Sequence, residues 1–238
     1  MAIRVSDIAK MIDHSLLHPA LTDREMEEGC RLAIDYGVAS VCIKPCAVCL
    51  AAGILKGSGT AVGTVVGFPH GNSHIDVKVK EAEQALRDGA AELDMVVAIG
   101  KVIGHDWKYV EREIKKVCMA THSHGGILKV IFENDYLADD VLKIHLCRIC
   151  AEAHADFVKT STGFGFTRQP NGFYAYKGAT FDDVQFMRRH SPASVKIKAA
   201  GGIRTLDELL RFRELGVDRV GATATKAILD DARKRFPS

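Results

Sequence analysis

The stretch SVKIKAAGGIRTLDEL, residues 194–209, runs from an apolar, β-rich segment through a glycine pair into a helix start. Val195, Ile197, Ala199 and Ala200 suit a buried strand. Gly201 and Gly202 permit a tight turn, and Thr205 with Glu208 forms a capping box for a helix that Gly216 can stop. This is one strand–turn–helix unit. Seven further apolar runs recur at intervals of roughly 25 to 40 residues, about a strand plus a crossover helix. They are 11–14 (MIDH), 39–44 (ASVCIK), 61–67 (AVGTVVG), 92–97 (ELDMVV), 127–133 (ILKVIFE), 156–162 (DFVKTST) and 218–223 (DRVGAT). Helix signals lie between them. Thr22 and Glu25 form a second capping box, Leu21 and Met26 a hydrophobic staple, and Gly37 a stop. A helix from about His74 to Asp88, closed by Gly89, is expected to turn Val77, Ala82, Ala85 and Leu86 to the core.

Near-continuous apolar strands covered by helices on both sides make a parallel sheet, and eight of them favour a closed barrel over an open doubly wound sheet. The chain has 238 residues, 47% of them hydrophobic, against roughly 250 for a (β/α)8 barrel. The sequence contains neither GxGxxG nor GxxxxGK[ST], and nothing in it resembles an interdomain linker. The expectation is one α/β domain over 1–238.

Thirty-two basic residues nearly balance thirty acidic ones, which argues against nucleic-acid and anionic-membrane partners. Charges at Arg4, Asp7, Lys10 and Asp13 leave no room for an apolar leader core, and no run of about 18 apolar residues occurs. A soluble, cytoplasmic protein is expected. Seven cysteines, an odd number, fit reduced thiols that mostly serve as small buried apolar residues. The pairs Cys46/Cys49 and Cys147/Cys150 have C-x-x-C spacing but sit in helical stretches, whereas structural zinc pairs favour tight turns. The ten histidines are scattered without HExxH, and His122 and His124 flank an exposed-looking turn. No metal or cofactor is expected.

Barrel active sites form at the C-terminal ends of the strands, so ionisable residues that interrupt apolar runs are the candidates. These are Asp13, Asp94, Lys159, Lys196 and Lys198. Burial and a neighbouring ammonium both lower a lysine's pKa, yielding an amine able to attack a carbonyl, while an aspartate within reach can move protons. Structural ion pairs, or lysines pointing outward between helices, would explain the same pattern. Gly201 and Gly202 stand before a helix N-terminus, where backbone N–H groups suit an anion, and Gly221 repeats this after the last strand. A plain tight turn is the alternative.

In order along the chain, IDHSLL, VCIKPCAV, VVGFPHG, ELDMV, LKVIFE, FVKTSTGFG, VKIKAAGGIRT and RVGATA resemble the deoxyribose-phosphate aldolases, from about Ile12 to Ile228. That resemblance implies a metal-free class I aldolase on a TIM barrel, reversibly cleaving 2-deoxyribose 5-phosphate to acetaldehyde and glyceraldehyde 3-phosphate. By motif match it implies Lys159 as the Schiff-base lysine, Lys198 as the second lysine depressing its pKa, and Asp94 in the proton relay. It places Asp13, Cys42 and Thr160 in the substrate pocket, and Gly201, Gly202, Arg204, Gly221 and Thr223 in phosphate-binding segments. Lys196 is the rival in its strand, but only Lys198 has the AAGG spacing.

Several positions depart from that pattern. Thr223-Ala224 stands where a Ser-Ser pair is usual, Phe164 where some members have a lysine, and Glu133, Asn134 and Asp135 make the fifth strand end more acidic. FTRQPNGFYAYK, 166–177, reads as an insertion, either a lid offering Phe166, Phe173, Tyr174 and Tyr176 or a solvated loop. A Schiff-base aldolase for a non-phosphorylated or differently substituted substrate, a barrel isomerase or epimerase with Asp94 as base, and a sugar-phosphate sensor are the rival readings. The partners expected are small-molecule sugar and aldehyde substrates, and the helix faces leave room for a homo-oligomer.

Overall fold

The computed structural model describes residues 3–237. All eight apolar runs form strands: β1 (Ile12–Leu16), β2 (Ser40–Ile43), β3 (Ala61–Val66), β4 (Glu92–Val96), β5 (Ile127–Ile131), β6 (Phe157–Lys159), β9 (Lys196–Ala200) and β10 (Arg219–Ala222). Every neighbouring pair is parallel, and β1 pairs with both β2 and β10, closing the barrel. The helices are α1 (Val5–Ala9), α2 (Asp23–Asp35), α3 (Val48–Leu55), α4 (Ile75–Arg87), α5 (Ile99–Ile103), α6 (Trp107–Ser123), α7 (Asp140–Glu152), α8 (Phe181–His190), α9 (Leu206–Glu214) and α10 (Thr225–Arg235). No helix among the described residues is long and apolar enough to cross a membrane.

Both capping boxes form, with Glu25 N donating to the Thr22 hydroxyl and Glu208 N to that of Thr205. Strand alternation then divides the side chains. Leu93, Met95, Leu128, Val130, Val158, Ile197 and Val220 are buried in the apolar layer between strands and helices. The alternate positions point into the barrel.

Two details differ from the sequence reading. Val77 is 53% exposed, and the α4 position that turns inward beside it is Lys78. Its ammonium donates to Glu113 Oε1 at 2.6 Å and to the carbonyls of Gly71 and Val96, each at 2.7 Å, and Glu113 Oε2 accepts from Ala98 N. A periodicity count cannot see a lysine whose charge is met on another helix. The second difference is in 166–177, where Thr167–Arg168 (β7) and Tyr174–Ala175 (β8) pair antiparallel. Gly172, at φ +84°, occupies the left-handed conformation in the connecting turn, with open space around it.

Five cysteines are buried, and Cys46 and Cys49 are exposed. His124 is exposed as expected, but His122 also pairs with Asp156 at 2.9 Å.

Candidate active site

The barrel interior carries charge where a typical barrel carries aliphatic side chains. Asp13 on β1, Glu92 and Asp94 on β4, Lys129 on β5, Lys159 on β6 and Lys198 on β9 are all buried. The Arg219 guanidinium on β10 closes the set from the lower side. Register explains their meeting, because Asp94 aligns with Lys129, Lys159 with Lys198, and Lys198 with Arg219. Asp94 Oδ2 accepts from Lys159 Nζ and Lys198 Nζ, both at 2.7 Å, while its Oδ1 accepts from Lys129 Nζ at 2.9 Å. Asp13 takes Lys198 Nζ at 2.5 Å and also Arg219, and Glu92 takes Lys129 at 2.6 Å and Arg219 at 2.8 Å.

Three carboxylates thus face four cationic groups. Burial alone would raise the pKa of Asp94, but Lys129, Lys159 and Lys198 hold it well below the usual carboxylate range. Asp13 is likewise low despite its burial, through Lys198, Lys129 and Arg219. The surplus cation is Lys159. Burial lowers its pKa against the pull of Asp94, and the Lys198 charge lowers it further. Lys198 is buried too, yet Asp13 and Asp94 raise its pKa, so it remains an ammonium. Burial is therefore the larger influence on Lys159, ahead of the second lysine. The ion-pair alternative also holds for the rest of the cluster, and this network leaves Lys159 as its one cation with a lowered pKa.

Above the cluster lies a cavity of about 180 Å³. Lys159, Lys198, Asp13, Cys42, Gly201, Gly202, Arg204, Gly221 and Thr223 all line it. Asp94 lies behind the lysines, reaching the cavity through them. Burial pushes the Cys42 thiol up to about 11, which keeps it protonated. Thr160 does not line the cavity: its hydroxyl donates to Ala200 O and accepts from Ala200 N, stitching β6 to β9. Strand alternation turns it away from Lys159. Lys196 lies at the opposite end of β9, exposed, with its ammonium 5.5 Å from the centre of the Phe157 ring.

The acidic end of the fifth strand also has a structural task. Glu133, at φ +59°, accepts from the Thr162 hydroxyl and backbone N–H, fixing the segment that carries Gly163 and Phe164 into the cavity wall. Asp135 accepts from Lys177 N and Gly178 N. Sequence reasoning passed over Glu92, Lys129 and Arg219. Among the described residues no group of three or more His, Cys, Asp or Glu is placed to hold a metal ion.

Residues 8–224 match the family described as DeoC/LacD family aldolase. The chain is 49% identical over 230 residues to a deoxyribose-phosphate aldolase of Rhodopirellula baltica, covering 97% of this chain and 91% of that one. It is 46% identical to a deoxyribose-phosphate aldolase of Caldanaerobacter subterraneus, covering 96% and 95%. Among solved structures, the tetrameric deoxyribose phosphate aldolase of Aeropyrum pernix superposes with a TM-score of 0.85 at 29% identity, covering 97% of this chain and 93% of that one. An aldolase named QR15 gives 0.87 at 36% identity, covering 96% and 97%.

Proposed function

The chain belongs to the DeoC/LacD aldolase family, and we propose that it is a class I deoxyribose-phosphate aldolase in which Lys159 forms the Schiff base. The observation that carries this assignment is the surplus amine. Lys159 is the one cation of the buried cluster whose pKa is lowered without a carboxylate of its own, and it stands at the cavity wall.

The amine of Lys159 adds to the C1 aldehyde of open-chain 2-deoxyribose 5-phosphate, and loss of water gives the iminium. Removal of the C3 hydroxyl proton lets the C2–C3 bond break, with its electron pair passing to the iminium as an enamine. Glyceraldehyde 3-phosphate leaves. Protonation at C2 and hydrolysis then release acetaldehyde and restore the amine. Asp94, ionised and 2.7 Å from both lysines, is placed to pass protons between them and the reacting carbons through one water. Lys198 keeps its proton, disfavours protonation of Lys159 and can donate to substrate oxygens. Asp13, Glu92, Lys129 and Arg219 hold that pair in place.

The rim supplies the anion subsite: the Gly201–Gly202 turn before α9, Arg204, and Gly221 with Thr223 at the end of β10. This reading takes 1–238 as one barrel domain, working in the cytoplasm with free thiols on small sugar and aldehyde substrates. The A. pernix relative is a tetramer, and assembly of this chain through its outer helices is part of the same proposal.

Borohydride reduction in the presence of acetaldehyde, followed by peptide mapping, tests the imine. A two-carbon adduct on Lys159, lost in Lys159→Ala, is expected. An adduct on another lysine overturns the assignment of Lys159 while keeping the imine, and no adduct in folded protein overturns the Schiff-base reading and favours the non-covalent isomerase or sensor.

A further inference from the structure

The β7–β8 hairpin is attached at its base to the anion turn. Gly178, three residues after β8, lies so close to Gly201 that a Cβ there would stand 2.6 Å from the Gly201 carbonyl oxygen. Ala179 N donates to that same oxygen at 3.1 Å. From the other side, Asp135 accepts from Lys177 N at 2.6 Å and Gly178 N at 3.0 Å. Between these attachments and the hairpin comes Tyr176, a cavity-lining residue. Its ring meets Phe166 edge-on at 5.0 Å, and Phe166 is itself held by the Tyr136 hydroxyl donating to its carbonyl at 3.0 Å. Phe173 and Tyr174, by contrast, are 74% and 67% exposed and line no part of the cavity.

Tyr36 and Tyr136 direct their hydroxyls to Asp230 and the Phe166 carbonyl, whereas no hydrogen bond among the described residues engages the hydroxyl of Tyr176. Phe164 forms the neighbouring wall and Ala224 follows Thr223, neither side chain carrying a donor, so Arg204 and the Thr223 hydroxyl are the side-chain donors of the proposed anion subsite.

We propose that Tyr176 is a specificity-determining residue that donates its phenolic O–H to the phosphoryl group of the substrate held at the Gly201–Gly202 turn. The proposal rests on the aldolase reading above. An oxygen dianion accepts strongly from a neutral hydroxyl, and the Tyr176 ring, in edge-on contact with Phe166, lines the same cavity as that turn. The hairpin thus brings a donor to a rim where Phe164 and Ala224 supply none.

The test compares Tyr176→Phe with wild type on 2-deoxyribose 5-phosphate and on 2-deoxyribose, reading the ratio of the two kcat/KM values. A charge-assisted hydrogen bond corresponds to about a tenfold fall in that ratio, seen mainly in KM for the phosphorylated substrate. A ratio within twofold of wild type overturns the proposal, whether both activities hold or both fall, because a steric or structural role moves the two substrates together. Failure of wild type to cleave either substrate overturns the aldolase reading and this proposal with it. Cleavage by wild type with an unmoved ratio overturns the role of Tyr176 alone.

Discussion

Lys159 and Lys198 meet on one oxygen atom: both side-chain nitrogens lie 2.7 Å from Oδ2 of Asp94. The carboxylate that steadies both lysines therefore also sets their separation, and the consequences can be tested.

Asp94→Asn leaves two carboxylates among four cations in a closed interior. Breaking a buried pair by removing one partner costs about 3–5 kcal/mol. Loss of the proton relay should lower kcat by about a hundredfold or more. Denaturant unfolding and turnover on the same preparation measure both, and wild-type kcat would remove Asp94 from the mechanism.

Lys198→Leu takes away the charge that helps depress Lys159 and leaves Asp94 with fewer partners to satisfy. Both changes raise the pKa of Lys159. The free amine should then appear at higher pH, moving the rate profile of borohydride trapping upward. A profile that stays in place would mean that burial alone tunes the amine.

Gly178→Ala and Gly172→Ala separate the hairpin's base from its tip. Both glycines have positive φ, +69° and +84°, so each substitution carries a left-handed strain of about 1 kcal/mol. Only the alanine at 178 would also strike the Gly201 carbonyl. We expect Gly172→Ala to lose little beyond that strain, and Gly178→Ala to lose more stability and to raise KM for the phosphorylated substrate. Equal behaviour of the two variants would show that the base contact does not shape the turn.

His14 is buried, its Nδ1 is 2.8 Å from the Thr225 hydroxyl, and burial pushes its pKa down to about 4. A group whose folded pKa lies below its unfolded value stabilises above the latter and loses that contribution as pH falls. Stability should therefore decline between about pH 6.5 and 4, by roughly 3 kcal/mol if His14 acts alone. His14→Asn should flatten that window in pH-dependent unfolding. Persistence of the full slope would assign it to other groups.

Much of the barrel is legible in the sequence because each strand is apolar on the face that meets the helices and is bounded by turn residues. Lys159, Lys198 and Asp94 stand out against that background. Lys129 stands out by the same criterion, as the charge inside ILKVIFE, and is the third cation of the cluster legible in the sequence. Glu92 and Arg219 begin their strands, where a charge is ordinarily solvated, so only barrel closure reveals that they face inward. Lys78 is hidden because its partner Glu113 lies 35 residues away on another helix. The hairpin had a local signal in Pro170-Asn171-Gly172, turn residues of a loop in which Gly172 N donates to Gln169 O at 2.9 Å, although the flanking strands of two residues each are too short to show alternation.

The open space around Gly172 has a consequence for how such proteins diverge. A segment fixed only at its base can lengthen, shorten or change composition at its far end without disturbing the charged interior of the barrel. On the proposed function, the imine chemistry and the choice of what enters the cavity would lie in separate parts of one chain, free to change at different rates.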